Sequence, residues 1–447
     1  MPARADAQRP EELPEVVVHS APLLRPEAFV LLARMPPDAI DPRALPAALR
    51  GPWLEAATAM ARADDLARAA HDAPPDRASA AREASDRAYA ELTATLDRVA
   101  TALEAQRAAL GATGWLALGE LRWLHAELAL SDALAELERR AARGEAPPEP
   151  RLDAASAIAA WEEVSRRDPT GAAGRYARYA IGHALEQIGE HERARDMFAS
   201  IATGTSALAH HASLRAGLLH LESGDDAAAA PLLSLALAAS DPAVAETARY
   251  QLVWCRWRSG DRAAVVSLVL GGPAAWLHPE LGHDVERLAA RAIADARAGG
   301  AQLVPADAPA AAAARLLAAA AELLASEGHV EWAEALVVQA EARDASAPPV
   351  HAARGAIEAH VGAPETAHEW LARFAVACAR ESQLDVAGAL DVDVHADRRR
   401  ALTVDTYVVA SPATPRWDAF EACLRGSAPP PRFRVLRRRY RARVRVD

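Results

Sequence analysis

Five glycines recur along this chain at a nearly fixed period, and that recurrence limits the possible folds more than any other feature. Gly189, Gly224 and Gly260 stand 35 and 36 residues apart, Gly328 and Gly362 stand 34 apart, and the 68 residues between Gly260 and Gly328 fit two periods. Seven residues before them lie Gly182, Gly217, Val253, Ala321 and Gly355, mostly very small. Five after them lie Ala194, Ala229, Val265, Ala333 and Ala367, and nine after them Phe198, Leu233, Val269, Val337 and Leu371. Two antiparallel helices that cross closely need small residues where their backbones touch and a larger apolar residue to fill the wedge. A Gly between them ends the first helix in a left-handed cap. The pattern predicts a mainly α chain built of stacked helical hairpins.

This register resembles the tetratricopeptide repeat, a helix–turn–helix of about 34 residues. The match covers residues 152–380, with one degenerate unit near 277–310. Four residues before the Gly, where the family carries a bulky aromatic, this chain has Leu185, His220, Arg256, Leu324 and Glu358. The resemblance implies an α-solenoid that binds partner peptides along its first helices. Carried over by the Gly register, the contact positions are Tyr176, Tyr179, His183, Glu186 and Gln187 in one unit. The next gives His211, Leu214, Leu218, Leu221 and Glu222, and the third Thr247, Tyr250, Trp254, Trp257 and Arg258. Tyr and Trp are costly to expose and anchor interfaces. The candidate partner-binding set is therefore Tyr176, Tyr179, His183, Gln187, His211, Tyr250, Trp254, Trp257 and Arg258. Packing of Trp254 and Trp257 against the next hairpin is the competing expectation.

The flanks of the repeat read differently. Residues 1–52 hold ten prolines and little periodicity, an extended lead-in with one short apolar docking segment at Ala28–Ala33. From Trp53 to residue 150 the pattern is helical. Leu92, Leu96, Val99, Leu103 and Leu110 form one stripe, and Leu116, Trp123, Leu128, Leu134 and Leu137 a second, ended by GEAPPEP at 144–150. The repeat region runs to residue 384, where the period drops to two. Leu390, Val392 and Val394 alternate with Asp391, Asp393 and His395; Leu402, Val404, Thr406 and Val408 follow a polar turn, and the pair reads as a β-hairpin. A short helix over Arg416–Arg425 and a last strand ending in Tyr440, Ala442, Val444 and Val446 complete a ββαβ order. With Cys423 in the helix and three prolines at 429–431, residues 385–447 resemble the C-terminal domain of TonB-like proteins, closest to the AgmX-type variants of myxobacterial envelope proteins. The resemblance implies a small α+β end domain, an envelope or periplasmic setting and partner binding through the sheet.

Charge divides the same way. Residues 388–447 carry thirteen Arg against seven acids, which makes them +6 and leaves −17 on the rest of a chain whose total is −11. An acidic body argues against nucleic acid as a partner. Arg441, Arg443 and Arg445 alternate along the last strand. They form either a basic face for an anionic surface or a row neutralised across the sheet by Asp391 and Asp393.

The chain contains no Lys, which excludes the P-loop, Schiff-base and kinase-type uses of that residue. There is no GxGxxG, GxSxG, HExxH or EF-hand loop, and neither His210–His211 nor His278 with His283 has metal-ligand spacing. No catalytic residue, cofactor or metal is expected, and the chain reads as a non-catalytic scaffold for protein or peptide partners. A cytoplasmic adaptor and an enzyme of unrecognised type are the alternatives. The stretch Ala308–Ala325 contains Arg315 and Glu322 and is too polar to span a membrane. The opening MPARADAQRPEELPEVVV has no apolar core of an export signal, which favours the cytoplasm if Met1 is the true start. Cys255, Cys378 and Cys423 are far apart and odd in number, and read as buried thiols with no disulfide.

Overall fold

The computed structural model describes residues 47–382 except 75–76, 147, 274–275 and 299–301, and beyond them residues 390–396, 402–406, 419, 423 and 442–443. The docking segment expected at Ala28–Ala33 lies outside the described residues, as does most of the helix expected at Arg416–Arg425.

Two compact units divide between Ala248 and Arg249. The first contains α1 (Ala47–His71), α2 (Ala78–Ala105), α3 (Ala112–Ala142), α4 (Ala155–Arg167), α5 (Ala172–Gln187), α6 (His191–Ile201), α7 (Ala207–Glu222) and α8 (Asp226–Ala236). Helix α9 (Pro242–Arg258) crosses the division. The second unit continues with α10 (Arg262–Leu270), α11 (Pro279–Ala298), α12 (Ala310–Ser326), α13 (Val330–Asp344), α14 (Pro348–Val361) and α15 (Pro364–Glu381). Within each unit, neighbouring helices pair as hairpins, α5 with α6 and α7 with α8 in the first, α12 with α13 and α14 with α15 in the second. This is tetratricopeptide-like α-solenoid packing.

The glycine pattern has the physical basis the sequence implies. Gly189, Gly224, Gly260, Gly328 and Gly362 all have φ between 77° and 85°, a left-handed conformation that costs a side-chain-bearing residue about 1 kcal/mol. The residue after each Gly donates its N–H to the carbonyl of Leu185, His220, Arg256, Leu324 or Glu358, at 2.8–2.9 Å. These acceptors are the positions where the family's aromatic is missing. The cap uses their backbone, so it places no demand on their side chains.

The close approach is equally direct. A Cβ on Gly182 would lie 2.9 Å from the Phe198 ring, on Gly217 2.9 Å from Leu233, and on Gly355 2.9 Å from Leu371. The same device joins α3 to α4, where a Cβ on Gly119 would lie 2.5 Å from the Trp161 indole. The fixed period does not reach that pair.

Near 277–310 one helix stands where a hairpin is expected. Helix α11 is followed, in residues 302–309, by non-helical chain leading to α12. Arg343 of α13 donates to the carbonyls of Pro305, Ala306 and Ala308, so its guanidinium satisfies acceptors that helical bonding would otherwise take up. Val304 is buried against the α11–α12 core.

The two amphipathic stripes of the first unit fare differently. Leu92, Leu96, Val99, Leu103 and Leu110 are all buried. On α3, Leu116 and Trp123 are buried, but Leu128 and Leu137 are only half-buried and Leu134 is 39% exposed. The stripe is longer than the surface available to cover it.

In the second unit β1 (Leu390–Ala396) pairs antiparallel with β2 (Leu402–Thr406), with Val394 opposite Val404. It pairs parallel with β3 (Ala442–Arg443), which gives the strand order β2-β1-β3. Register sets Arg443 opposite Asp391; Arg441 and Arg445 lie outside the described residues. The expectation of three unpaired thiols is corrected. Cys378, at the end of α15, is bonded to Cys423, 45 residues on, while Cys255 remains a buried thiol. Spacing alone gives no sign of a pair this far apart in sequence.

Candidate partner-binding wall

Helices α3, α5 and α7 pack in succession within the first unit, α3 against α5 and α5 against α7. Polar groups collect along that contact. Glu120 of α3 is buried and accepts a hydrogen bond from the Trp161 indole at 3.1 Å. Burial pushes its carboxyl up to about 8, against the pull of the Trp161 and Tyr176 hydrogen bonds. Glu127, two turns further along α3, is half-buried, and burial raises it to about 7 against a hydrogen bond from Trp123.

The Trp123 ring lies 5.6 Å from the His183 ring of α5 and 5.9 Å from that of Trp161. Burial, aided by the Arg215 charge, pulls His183 down to about 3, so the imidazole is neutral. Its Nε2 is sealed from solvent and has no hydrogen-bond partner among the described residues. One turn on, Glu186 accepts from Arg215 Nε of α7 at 3.0 Å, with both side chains largely buried. Burial still holds Glu186 above the usual carboxylate range despite the guanidinium.

The residues expected to anchor partners divide into three groups. Tyr176, Tyr179 and Tyr250 are buried at 5%, 3% and 4% exposure, and so belong to the packing rather than to a free face. Tyr179 packs on Phe198 with ring centroids 5.3 Å apart, because the first-helix position that would face a partner is also the one next to the wedge residue. His183 and His211 are half-buried, the latter 3.7 Å from Asp241. Gln187 is exposed.

In the second unit Trp254 is half-buried and edge-on to Tyr250 at 6.4 Å. Trp257 is half-buried under the Arg262 guanidinium at 3.6 Å, and Arg258 is exposed. His210 is buried at 7% exposure.

The repeat register missed Glu120, Trp123 and Glu127, because α3 precedes the first periodic glycine. The signal was present: two carboxylates seven residues apart, on one helical face, with a Trp between them. Among the described residues no cluster of His, Cys, Asp and Glu is arranged to hold a metal ion, and no helix is long and apolar enough to cross a membrane.

No protein-family model matches the sequence, and no curated protein gives a significant match. Among solved structures, the crystal structure of the APC/C hetero-tetramer Cut9-Hcn1 aligns with 65% of this chain at 15% identity and a TM-score of 0.26. The chain spans 46% of the length of that structure's chain. A likeness this low carries no argument; the helical-hairpin reading rests on the caps and close contacts above.

Proposed function

We propose that this protein is a non-catalytic scaffold that holds protein partners along the first helices of its repeats, with a TonB/AgmX-like terminal module as a second contact surface. The observation that carries the reading is the wall on α3, α5 and α7. A repeat built only for stability would fill these positions with apolar side chains, since a buried ion pair rarely stabilises more than a packed hydrophobe. Here Glu127, His183, Glu186 and Arg215 occupy them instead.

Gln187 and Glu222 are exposed on α5 and α7 at adjoining contact positions. Replacing both with Arg is expected to cut partner recovery at least tenfold when the tagged protein is purified from its native source and analysed by mass spectrometry. Undiminished recovery of every partner would defeat the groove.

The compartment we infer is the bacterial envelope. The Cys378–Cys423 bond supports it, because such bonds persist in oxidising compartments and are rare where glutathione keeps thiols reduced. A 45-residue loop closed in this way gains about 4 kcal/mol in the chain-entropy picture. Thiol counting by alkylation and intact mass tests the assignment on protein taken directly from cells. One reactive thiol after denaturation without reductant fits the envelope; three fit the cytoplasmic adaptor.

A further inference from the structure

Helix α3 carries a seam that outlasts its packing. Glu120, Trp123, Glu127, Leu130, Leu134 and Leu137 follow one another at alternate steps of three and four residues. With that spacing a helix keeps one narrow face turned towards a neighbouring helix. Glu120 and Trp123 are buried inside the first unit. Leu128, beside the seam, still packs against that unit's core, whereas the half-buried Leu130 and Leu137 do not, and Leu134 is 39% exposed. Helix α4 lies along the first half of α3 only: Arg122 donates to the Ser156 carbonyl at the start of α4, and Arg167 at its end reaches the Leu110 carbonyl. The seam beyond Glu127 continues past the helix that covers it.

The charges of this overhang are gathered on its other side. Glu136 pairs with Arg139 and Arg143, which a turn of 3.6 residues puts on the face away from Leu134 and Leu137. Arg140 and Arg143 also bond Glu145, just past the end of the helix. Ala133 and Ala141, next to the leucines, leave room for a second backbone. We propose that Leu130, Leu134 and Leu137 pack on the same three residues of a second copy of this chain, the two α3 helices lying antiparallel in a dimer.

Charge sets the direction. Residues 126–135 carry −2 and residues 136–143 carry +1. Antiparallel pairing lays the acidic half of each overhang along the basic half of the other, with Leu134 opposite Leu137 and Leu130 opposite Ala141. Glu138 then comes level with Ser131, and Arg140 with Ala133, so no like charges meet. Parallel pairing would set Glu127 against its own copy and bring together the ends where each seam is already covered by its own chain. Residues 130–141 of two copies cover well under about 1,600 Å2, the size of a standard interface, so the dimer exchanges with monomer at micromolar concentration. The pairing uses neither the glycine register nor the groove, and stands or falls apart from them.

Sedimentation of the full chain from about 1 to 200 μM reads the dimer directly. Wild type is expected to pass from monomer to dimer across that range. Leu134→Glu is expected to weaken the dimer at least tenfold with an unchanged melting temperature in dilute solution, because that side chain lies outside the monomer's core. Leu134→Ala, the milder change, is expected to weaken it severalfold and serves if the Glu variant folds poorly. Leu54→Glu, at an exposed leucine of α1, is expected to dimerise as wild type. Direction is read by oxidising a mixture of Leu130→Cys and Ala141→Cys chains, where disulfides joining the two different variants are expected.

A monomer at every concentration, the result if another part of the chain covers the seam, would overturn the proposal. So would a dimer that survives both Leu134 variants, or equal weakening by Leu134→Glu and Leu54→Glu, the mark of non-specific association. Disulfides joining like variants would overturn the antiparallel pairing.

Discussion

Hairpins α5/α6 and α12/α13 share one frame and differ in what they bury. Both turn on a left-handed Gly and both close the cap through a backbone bond of 2.8 Å. At the crossing, Gly182 meets Phe198 in the first, while Ala321 and Val337, both fully buried, stand at those positions in the second. The first helix of the one carries Tyr176, Tyr179, His183 and Glu186; that of the other is dominated by buried Ala and Leu. The frame is indifferent to this exchange because it is made by backbone capping and small-residue contact. What fills the remaining positions can then be set by something other than folding.

The difference shows in two of the Arg–Glu pairs that bridge neighbouring helices. Arg215–Glu186 in the first unit has side-chain exposures of 10% and 15%, whereas Arg354–Glu341 in the second has 19% and 28%. Arg215→Ala leaves a buried carboxylate unpaired and is expected to cost about 3–5 kcal/mol in chemical denaturation. Arg354→Ala breaks a two-pronged bond in more open surroundings and is expected to cost less, about 1–2 kcal/mol. Equal costs would erase the contrast between the units.

A comparable effect is expected from the wedge. Phe198→Ala should lose about 3–5 kcal/mol by opening a cavity under Gly182. Val337→Ala removes far less volume and should lose less.

Comparable at its upper limit, and distinctive in form, is the pH response of Glu120. In the unfolded chain its carboxyl ionises near 4.5, and in the folded protein only near 8. The folded state therefore binds more protons between those values. Its stabilising contribution is intact below about pH 4.5, falls as pH rises, and is gone above pH 8, by roughly 4–5 kcal/mol as an upper limit. Glu120→Gln keeps an acceptor for Trp161 and should flatten that fall in melts from pH 5 to 9. An unchanged slope would mean the carboxyl is not buried as described.

The smallest effect is expected at the caps. Gly189→Ala and Gly328→Ala should each cost about 1 kcal/mol, the same in both units, because the strain lies in φ and not in the surroundings.

These particulars explain how much was legible in advance. The caps and close contacts were, because glycine at positive φ and glycine under a ring are requirements on residue type. The first-helix tyrosines were misjudged because a contact position in the register says which way a residue faces, not whether its neighbours close over it. Tyr179 faces the wall and is still covered, with Phe198 beside it. The degenerate unit near 277–310 was legible from its missing glycine, but its single helix was not, because 68 residues is also the length of two full periods; Arg343's bonds to Pro305, Ala306 and Ala308 hold the non-helical chain that follows α11. Glu120 and Glu127 lay ahead of the periodic glycines, in a stretch where the sequence offers no register to align.

The bond between Cys378 and Cys423 also governs how the chain responds to being cut. It turns the stretch between them into a covalent ring that contains β1 and β2. A protease that severs the chain anywhere inside that ring produces no fragment: both pieces stay tethered, and only a reductant separates them. Nicking this part of the protein is therefore invisible to size-based assays until dithiothreitol is added, and the terminal strands stay tethered to α15 through a wound that would detach an unbridged tail.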